Sequence, residues 1–214
     1  MSDLNETLTE QLERTHREVR EAEPGRRVIL RRRYRSDIDD VWDAVTNPER
    51  ISRWFLPISG DLHVGGKYQF EGNAGGEILE CEPPRLVRAT WAYGEGDPSE
   101  VAVTLSSAGE DETELELVHT AVVDPEFWSR FGPGAVGVGW DLGLIGLAQH
   151  LGGGDIDETR RQALALSPAM RDFMARSSTA WGAALQATGV AADEVAAAVA
   201  NTTQFYAPDP PASS

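Results

Sequence analysis

Residues 38–55, IDDVWDAVTNPERISRWF, predict two short amphipathic helices in succession. The first helix carries one apolar stripe at helical spacing, formed by Ile38, Val41, Trp42 and Val45. Ser36 and Asp39 have the spacing of a capping box at its start. Asn47 followed by Pro48 predicts the N-cap and first turn of the second helix. The apolar face of that helix consists of Ile51, Trp54 and Phe55.

The segments on either side of these helices predict β-strands. Residues 27–35 alternate apolar side chains with arginines, which is typical of an exposed or edge strand. We interpret the arginine face as solvated rather than as a binding patch. From residue 60 to 123 the apolar period is two, with short glycine-containing linkers between the runs. This pattern predicts an antiparallel meander with one wet face.

Residues 131–151 predict a long helix whose two apolar stripes must both be covered. Asp141 is the single formally charged residue in this stretch, so its length approaches that of a membrane span. Pro133 and the many glycines weaken an isolated helix. We therefore favour a helix buried inside a soluble protein, with no membrane partner.

Both ends of the chain are predicted to be helical extensions. Leu4, Leu8 and Leu12 recur every four residues, which predicts a helical arm over residues 1–24. After three glycines, residues 154–214 predict a helical hairpin with a disordered end, docked on the second stripe of the long helix. The domain between them, residues 25–153, has its strands and helices in separate runs. That order indicates an α+β fold with a curved sheet wrapped around the long helix.

The composition excludes several classes of partner. The chain has 214 residues, with 19 Lys+Arg against 35 Asp+Glu and a net charge of −16. Such an acidic chain is not expected to bind nucleic acid or an anionic membrane surface. One cysteine, Cys81, and no readable signal peptide fit a cytoplasmic protein. The scattered histidines and the missing phosphate-binding glycine loop indicate no metal and no cofactor.

The order of these features resembles the START-like (helix-grip, SRPBCC) superfamily, and more narrowly the branch related to the activator of heat-shock protein 90 ATPase. The matching segments are 41–49 with Trp54-Phe55, Gly65-Gly66, 83–86 leading to Thr90-Trp91, 113–119 and 139–151. The resemblance implies a deep apolar cavity between the sheet and the long helix, which relatives use for hydrophobic molecules such as lipids, polyketides or hormones. Relatives include carriers, cyclases, dehydratases and chaperone cofactors, so the fold alone does not fix the function.

Nine residues are predicted to contact a ligand: Trp54, Phe55, Tyr68, Phe70, Trp91, His119, Trp140, Asp141 and Leu144. An apolar wall with a few polar groups is typical of ligand sites, although the aromatic residues also suit an ordinary core. The resemblance places Trp54, Phe55, Trp91 and Trp140 around the mouth or wall of the cavity.

Two polar residues in this set leave alternatives open. His119 shares the apolar face of its strand with Leu115 and Leu117, where it either binds a ligand or is a core histidine satisfied by a neighbouring hydroxyl or backbone group. Asp141 either lies at a site or faces Arg130 or the tail. The sequence does not show whether His119 and Asp141 meet.

Three functions are compatible with these features. The first is binding of a small hydrophobic molecule without catalysis, for which no catalytic residue is assigned. The second is a cyclase or dehydratase that uses His119 and Asp141 as an acid–base pair. The third is an interaction protein that acts on a chaperone. A homodimer formed through the helical extension is compatible with each of them.

Overall fold

A computed structural model describes residues 2–94, 98–154, 164 and 167–208, with side chains from Leu8 onward. In chain order the elements are α1 (Ser2–Glu13), β1 (Thr15–Glu21), β2 (Arg26–Tyr34), α2 (Ile38–Thr46), α3 (Pro48–Trp54), β3 (Ile58–Gly60), β4 (Lys67–Phe70), β5 (Gly75–Glu82), β6 (Leu86–Trp91), β7 (Ser99–Gly109), β8 (Glu112–Ala121), α4 (Pro125–Phe131), α5 (Gly134–Leu151), α6 (Pro168–Gln186) and α7 (Ala192–Tyr206).

The chain divides into two compact units. The sheet unit comprises Arg20–Val122 and Gly143–Asp155, and the helical unit comprises Met1–Val19, Val123–Leu142 and Ile156–Ser214. Strand β1 and helix α5 each pass from one unit into the other. This grouping differs from the predicted boundaries, because residues 1–19 and the tail share a unit with residues 123–142 instead of forming separate extensions.

The sheet has eight strands in the order β1-β2-β8-β7-β6-β5-β4-β3. Strands β2 to β8 pair antiparallel, and β5 to β8 form the predicted meander. On β8, Thr113, Leu115, Leu117 and His119 are buried, while the residues between them are half-buried. The C-terminal part of α5 packs in this unit, where the hydroxyl of Tyr34 donates to the carbonyl of Leu144 at 3.2 Å. The architecture is the α+β helix-grip fold.

The two short helices begin as their sequences require, with one correction. The side chain of Asn47 accepts a hydrogen bond from the backbone N–H of Glu49, and Pro48 occupies the first turn of α3. Helix α2 is capped by Asp37, whose carboxylate accepts from the backbone N–H of Asp40 at 2.8 Å. The predicted cap, Ser36, was wrong by one residue, because its hydroxyl instead contacts the Asp40 side chain.

Arg50 of α3 links three helices of the sheet unit. Its guanidinium donates to the carboxylates of Asp40 at 2.6 Å and Asp43 at 3.2 Å on α2, and to Nε2 of His150 on α5 at 3.1 Å. Burial opposes ionisation of Asp40, but hydrogen bonds from Ser36 and Arg50 outweigh it and lower the pKa of that carboxyl. The network fixes the end of α5 against the two short helices.

The helical unit is built around α6 and α7. Their small core contains Leu185, Val195 and Ala198, with Trp128, Val190 and Val199 packed against it. Asp124 caps α4 and Ser167 caps α6, each followed by a proline in the first helical turn. The predicted tail helices are therefore present over the described residues. The predicted disordered end falls on residues 209–214, outside the described part.

The N-terminal segment was wrongly predicted to be helical throughout. Helix α1 ends at Glu13, and Thr15–Glu21 forms strand β1. Because β1 is the outermost strand, β2 lies inside the sheet and is not the predicted edge. Its arginine face is solvated, since Arg31 pairs with Glu116 and Arg33 with Glu114 on β8.

No single described helix is long and apolar enough to cross a membrane. Helices α4 and α5 pass that test only when taken together, by length and composition, and they are bent by 60° at the break between them.

Candidate ligand-binding site

Five of the nine predicted ligand contacts lie together in the sheet unit. Phe55, at the end of α3, is the centre of the cluster, with its ring centroid 5.0 Å from Phe70, 5.7 Å from Trp54 and 6.4 Å from Trp91. Phe70 also lies 5.5 Å from both Tyr68 and Trp91. Tilted and edge-on rings at these distances are favourable aromatic contacts. We call these five residues the aromatic cluster.

The exposure of the aromatic cluster is graded. Tyr68, Phe70 and Trp91 are buried, whereas Trp54 and Phe55 are half-buried. Tyr93, two residues after Trp91, contacts the Trp91 ring at 6.4 Å and is 66% exposed. Burial, followed by the nearby Tyr93, raises the pKa of Tyr68, whose hydroxyl donates to the carbonyl of Thr90 at 2.6 Å. The aromatic cluster therefore extends from the interior of the sheet unit to its surface.

Helix α5 places two glycines next to this cluster. A Cβ built on Gly143 would lie 3.9 Å from the Phe55 ring, which is an ordinary contact distance. A Cβ on Gly146 would lie 2.5 Å from the carbonyl oxygen of Trp54, so only glycine fits there. The helix approaches α3 closely, and next to Phe55 it leaves room for added atoms.

His119 has a defined hydrogen-bond partner beside the cluster. Its Nε2 lies 2.7 Å from Oγ of Ser99, and the Ser99 hydroxyl donates to the carbonyl of Trp91 at 2.7 Å. Because a hydroxyl has one proton, this arrangement assigns the Nε2–H tautomer to His119, with Ser99 as acceptor. Burial lowers the pKa of His119 to about 4, so the imidazole is neutral at neutral pH. This is the hydroxyl partner that the core-histidine alternative requires.

Acidification is expected to destabilise the protein through His119. The pKa of this imidazole rises from about 4 in the folded chain to 6.5 when unfolded, so below pH 6.5 the unfolded state takes up the proton first. The loss of unfolding free energy begins below pH 6.5 and reaches about 3 kcal/mol near pH 4. In urea denaturation, the free energy of unfolding should fall less steeply between about pH 7 and about pH 5 for His119→Gln than for the wild type. Equal pH dependences of the two proteins would contradict this assignment.

Asp141 lies in the helical unit, where it binds protein groups. Its carboxylate is 2% exposed and accepts two hydrogen bonds from Arg17 of β1, at 3.0 Å and 2.9 Å. On α6, Ser177 donates to it at 2.5 Å and the indole of Trp181 at 3.0 Å. The alternative in which Asp141 faces the tail matches this geometry, although the partner is not Arg130.

The two other predicted contacts differ in their surroundings. Leu144 is buried in the sheet unit, on the part of α5 that carries Gly143. Trp140 is half-buried and belongs to the helical unit. Its role at the site stays a prediction.

The sequence interpretation missed Ser99, Arg17 and Ser177. Ser99 lies opposite Trp91 in the register of β6 and β7, and a register of this kind cannot be read from the sequence alone. Arg17 reaches a carboxylate that lies 124 positions further along the chain. The glycines at 143 and 146 were a readable signal, because glycine is unfavourable inside a helix unless something approaches closely.

The family is shown by the match of residues 35–152, just over half of the chain, to the model described as "Activator of Hsp90 ATPase homolog 1-like protein". The chain belongs to this family. This match confirms the START-like, helix-grip resemblance that the sequence suggested. No curated protein matches the chain.

Solved structures agree with this assignment. The crystal structure of CalU16 from Micromonospora echinospora is 36% identical, with a TM-score of 0.66, and the match covers 80% of this chain and 98% of that one. The solution structure of CalU16 gives 35% identity and a TM-score of 0.68, covering 81% and 96%. DynU16, titled a putative protein in the dynemicin biosynthetic locus, is 25% identical with a TM-score of 0.53, covering 60% and 48%. The likeness to CalU16 extends beyond the residues that match the family model.

Proposed function

We propose that the sheet unit binds a small, uncharged, apolar molecule against the aromatic cluster, without catalysis. The observation that carries this proposal is the graded exposure of the cluster, from buried Phe70 and Trp91 to half-buried Phe55, continued at the surface by the adjacent Tyr93. Apolar walls with few polar groups are typical of ligand sites. The helix-grip fold of the family is a ligand-binding fold, which supports the same conclusion.

His119 and Ser99 supply the polar group that orients such a ligand. Their hydrogen bonds end at the backbone carbonyl of Trp91, one of the buried residues of the cluster. The imidazole is neutral and the Ser99 oxygen keeps a second lone pair, so the pair suits a ligand hydroxyl that donates rather than a charged group. A relative in the dynemicin biosynthetic locus is consistent with a small organic ligand.

An acid–base mechanism has less support. The sequence offered Asp141 as the second group for His119, and that carboxylate already accepts four hydrogen bonds from Arg17, Ser177 and Trp181. Binding without covalent chemistry is therefore the function that the geometry favours. A chaperone partner, which the family description suggests, stays a prediction. The cytoplasmic location also stays a prediction.

Binding can be tested with the neutral fluorescent probe N-phenyl-1-naphthylamine. We expect saturable binding to the wild type and an affinity lower by about tenfold or more in Phe55→Ala, because one phenyl ring contributes about 1.5–3 kcal/mol of apolar burial. The matched control is Phe127→Ala, which removes a 47% exposed ring from α4 in the helical unit. That variant should bind the probe like the wild type.

Two results would refute the proposal. The first is the lack of saturable probe binding by the wild type. The second is an equal loss of affinity in Phe55→Ala and Phe127→Ala, since this would place the probe elsewhere or show nonspecific adsorption.

A further inference from the structure

The helical unit carries an exposed aromatic edge that the proposed ligand site does not use. Phe127 on α4 is 47% exposed and Phe205 on α7 is 67% exposed. The ring of Phe131 lies between them, 4.9 Å from Phe127 and 6.0 Å from Phe205. The guanidinium of Arg130 stacks 4.9 Å from the Phe131 ring and gives the edge a cation, one helical turn after the exposed carboxylate of Glu126.

The charges of α7 are confined to its first turn. Asp193 and Glu194 are exposed there, and no charged residue follows between Val195 and Pro208. The exposed positions in between are occupied by small or uncharged residues, namely Ala196, Ala197, Ala200 and Gln204. In a chain of net charge −16, the part of this surface that follows the first turn lets another helix pack without burying a carboxylate.

Glu194 of α7 and Arg130 of the neighbouring α4 lie along the same flank of α7. Glu194 and Phe205 are eleven positions apart, and at about 100° per residue they return to within about 20° of the same direction. Asn201 ties α4 to that flank, because its side chain donates to the backbone carbonyl of Arg130 at 2.9 Å. Glu194 therefore lies at one end of the flank and Phe205 at the other, about 17 Å away, with the Arg130 backbone beside Asn201 one turn before Phe205.

We propose that α7 is a homodimerisation surface, which pairs antiparallel with α7 of a second copy of this chain. A two-fold axis perpendicular to the plane of the two helices makes them antiparallel. It leaves the equivalent flanks of both helices on the same side of the pair. Each Arg130 then meets the second copy's Glu194, and the alanines face one another at the centre. Phe205 becomes covered by the first turn of the second copy's helix.

Charge complementarity selects this partner and this orientation. A parallel pair would set Asp193 and Glu194 against the same residues of the second copy, which is unfavourable. In the antiparallel pair, each acidic end meets a basic end that the same chain supplies.

The proposal is tested by sedimentation equilibrium on the full chain. We expect a concentration-dependent dimer whose Kd rises at least tenfold in Arg130→Glu. The double variant Arg130→Glu/Glu194→Arg should recover most of that loss, because it exchanges the two charges of the pair. Arg85→Glu, an exposed position in the sheet unit, is the control and should leave the Kd unchanged.

A second variant separates interface loss from unfolding. Ala200→Glu places a carboxylate at the centre of the pair on an exposed helical position, so the thermal unfolding of the monomer should be unchanged while the dimer is lost. The proposal is overturned if the wild type is a monomer up to hundreds of micromolar. It is equally overturned if a dimer forms whose Kd does not respond to Arg130→Glu and Ala200→Glu.

Discussion

Replacing Asp141 by asparagine is expected to lower the free energy of unfolding by about 3–5 kcal/mol, the largest effect of any single change considered for this chain. The substitution keeps the size of the side chain, removes its charge and replaces one acceptor oxygen by an NH2 donor. The Arg17 guanidinium, whose side chain is 7% exposed, is then left buried without its counter-ion. The hydrogen bonds from Ser177 and Trp181 also lose a charged acceptor, and such bonds are stronger than neutral ones.

Chemical denaturation of the wild type and the variant measures this loss. Asp172→Asn is the matched control on α6, because Asp172 pairs with Arg176 at 2.8 Å with both side chains about half exposed. An exposed pair of this kind contributes at most about 0.5 kcal/mol. The double variant Arg17→Met/Asp141→Asn should lose less than the sum of the single changes, since it leaves no unpaired buried charge. A cost below about 1 kcal/mol for Asp141→Asn would contradict the described pairing.

Adding one methyl group at Gly137 is expected to destabilise the protein by about 3 kcal/mol or more. A Cβ at this position would lie 2.2 Å from Cε2 of Trp181, which is fully buried and cannot move into solvent. Displacing that ring also disturbs the hydrogen bond from its indole to Asp141. The gain in helix propensity from glycine to alanine, about 1 kcal/mol, is too small to offset this.

Gly139→Ala, two residues along the same helix, is the control for this prediction. The nearest atom to a Cβ there is the hydroxyl of Tyr206 at 3.4 Å, at the limit of an ordinary contact. This variant should be neutral or stabilised by up to about 1 kcal/mol. In thermal or urea unfolding, Gly137→Ala should therefore lower the free energy of unfolding, whereas Gly139→Ala should leave it unchanged or raise it. Equal effects would show that Trp181 does not occupy the described position.

Local sequence signals predicted much of this fold. The caps at Asn47, Asp124 and Ser167 depend on residues within three positions, so their patterns are visible in the sequence. The alternation on β8 placed His119 on the buried face for the same reason. Strand β1 was missed because its charged sequence, THREVRE, is a poor strand former and gains its structure by joining the sheet.

The candidate site was only partly predictable. The family resemblance grouped Trp54, Phe55 and Trp91 with Trp140, and the structure brings the first three together with Tyr68 and Phe70. The partners of the polar residues could not be found in this way. Ser99 meets His119 across strands, and Asp141 meets Arg17 across most of the chain, so both contacts depend on tertiary structure.

The indole N–H resonances of the six tryptophans test the central claim most directly. In a titration with N-phenyl-1-naphthylamine followed by NMR, we predict that the resonances of Trp54 and Trp91 shift progressively and that both shift changes reach saturation at the same probe concentration. Trp128 and Trp181 of the helical unit should keep their positions. Binding at the aromatic cluster is contradicted if the probe leaves Trp54 and Trp91 unshifted, or if Trp128 and Trp181 shift in their place.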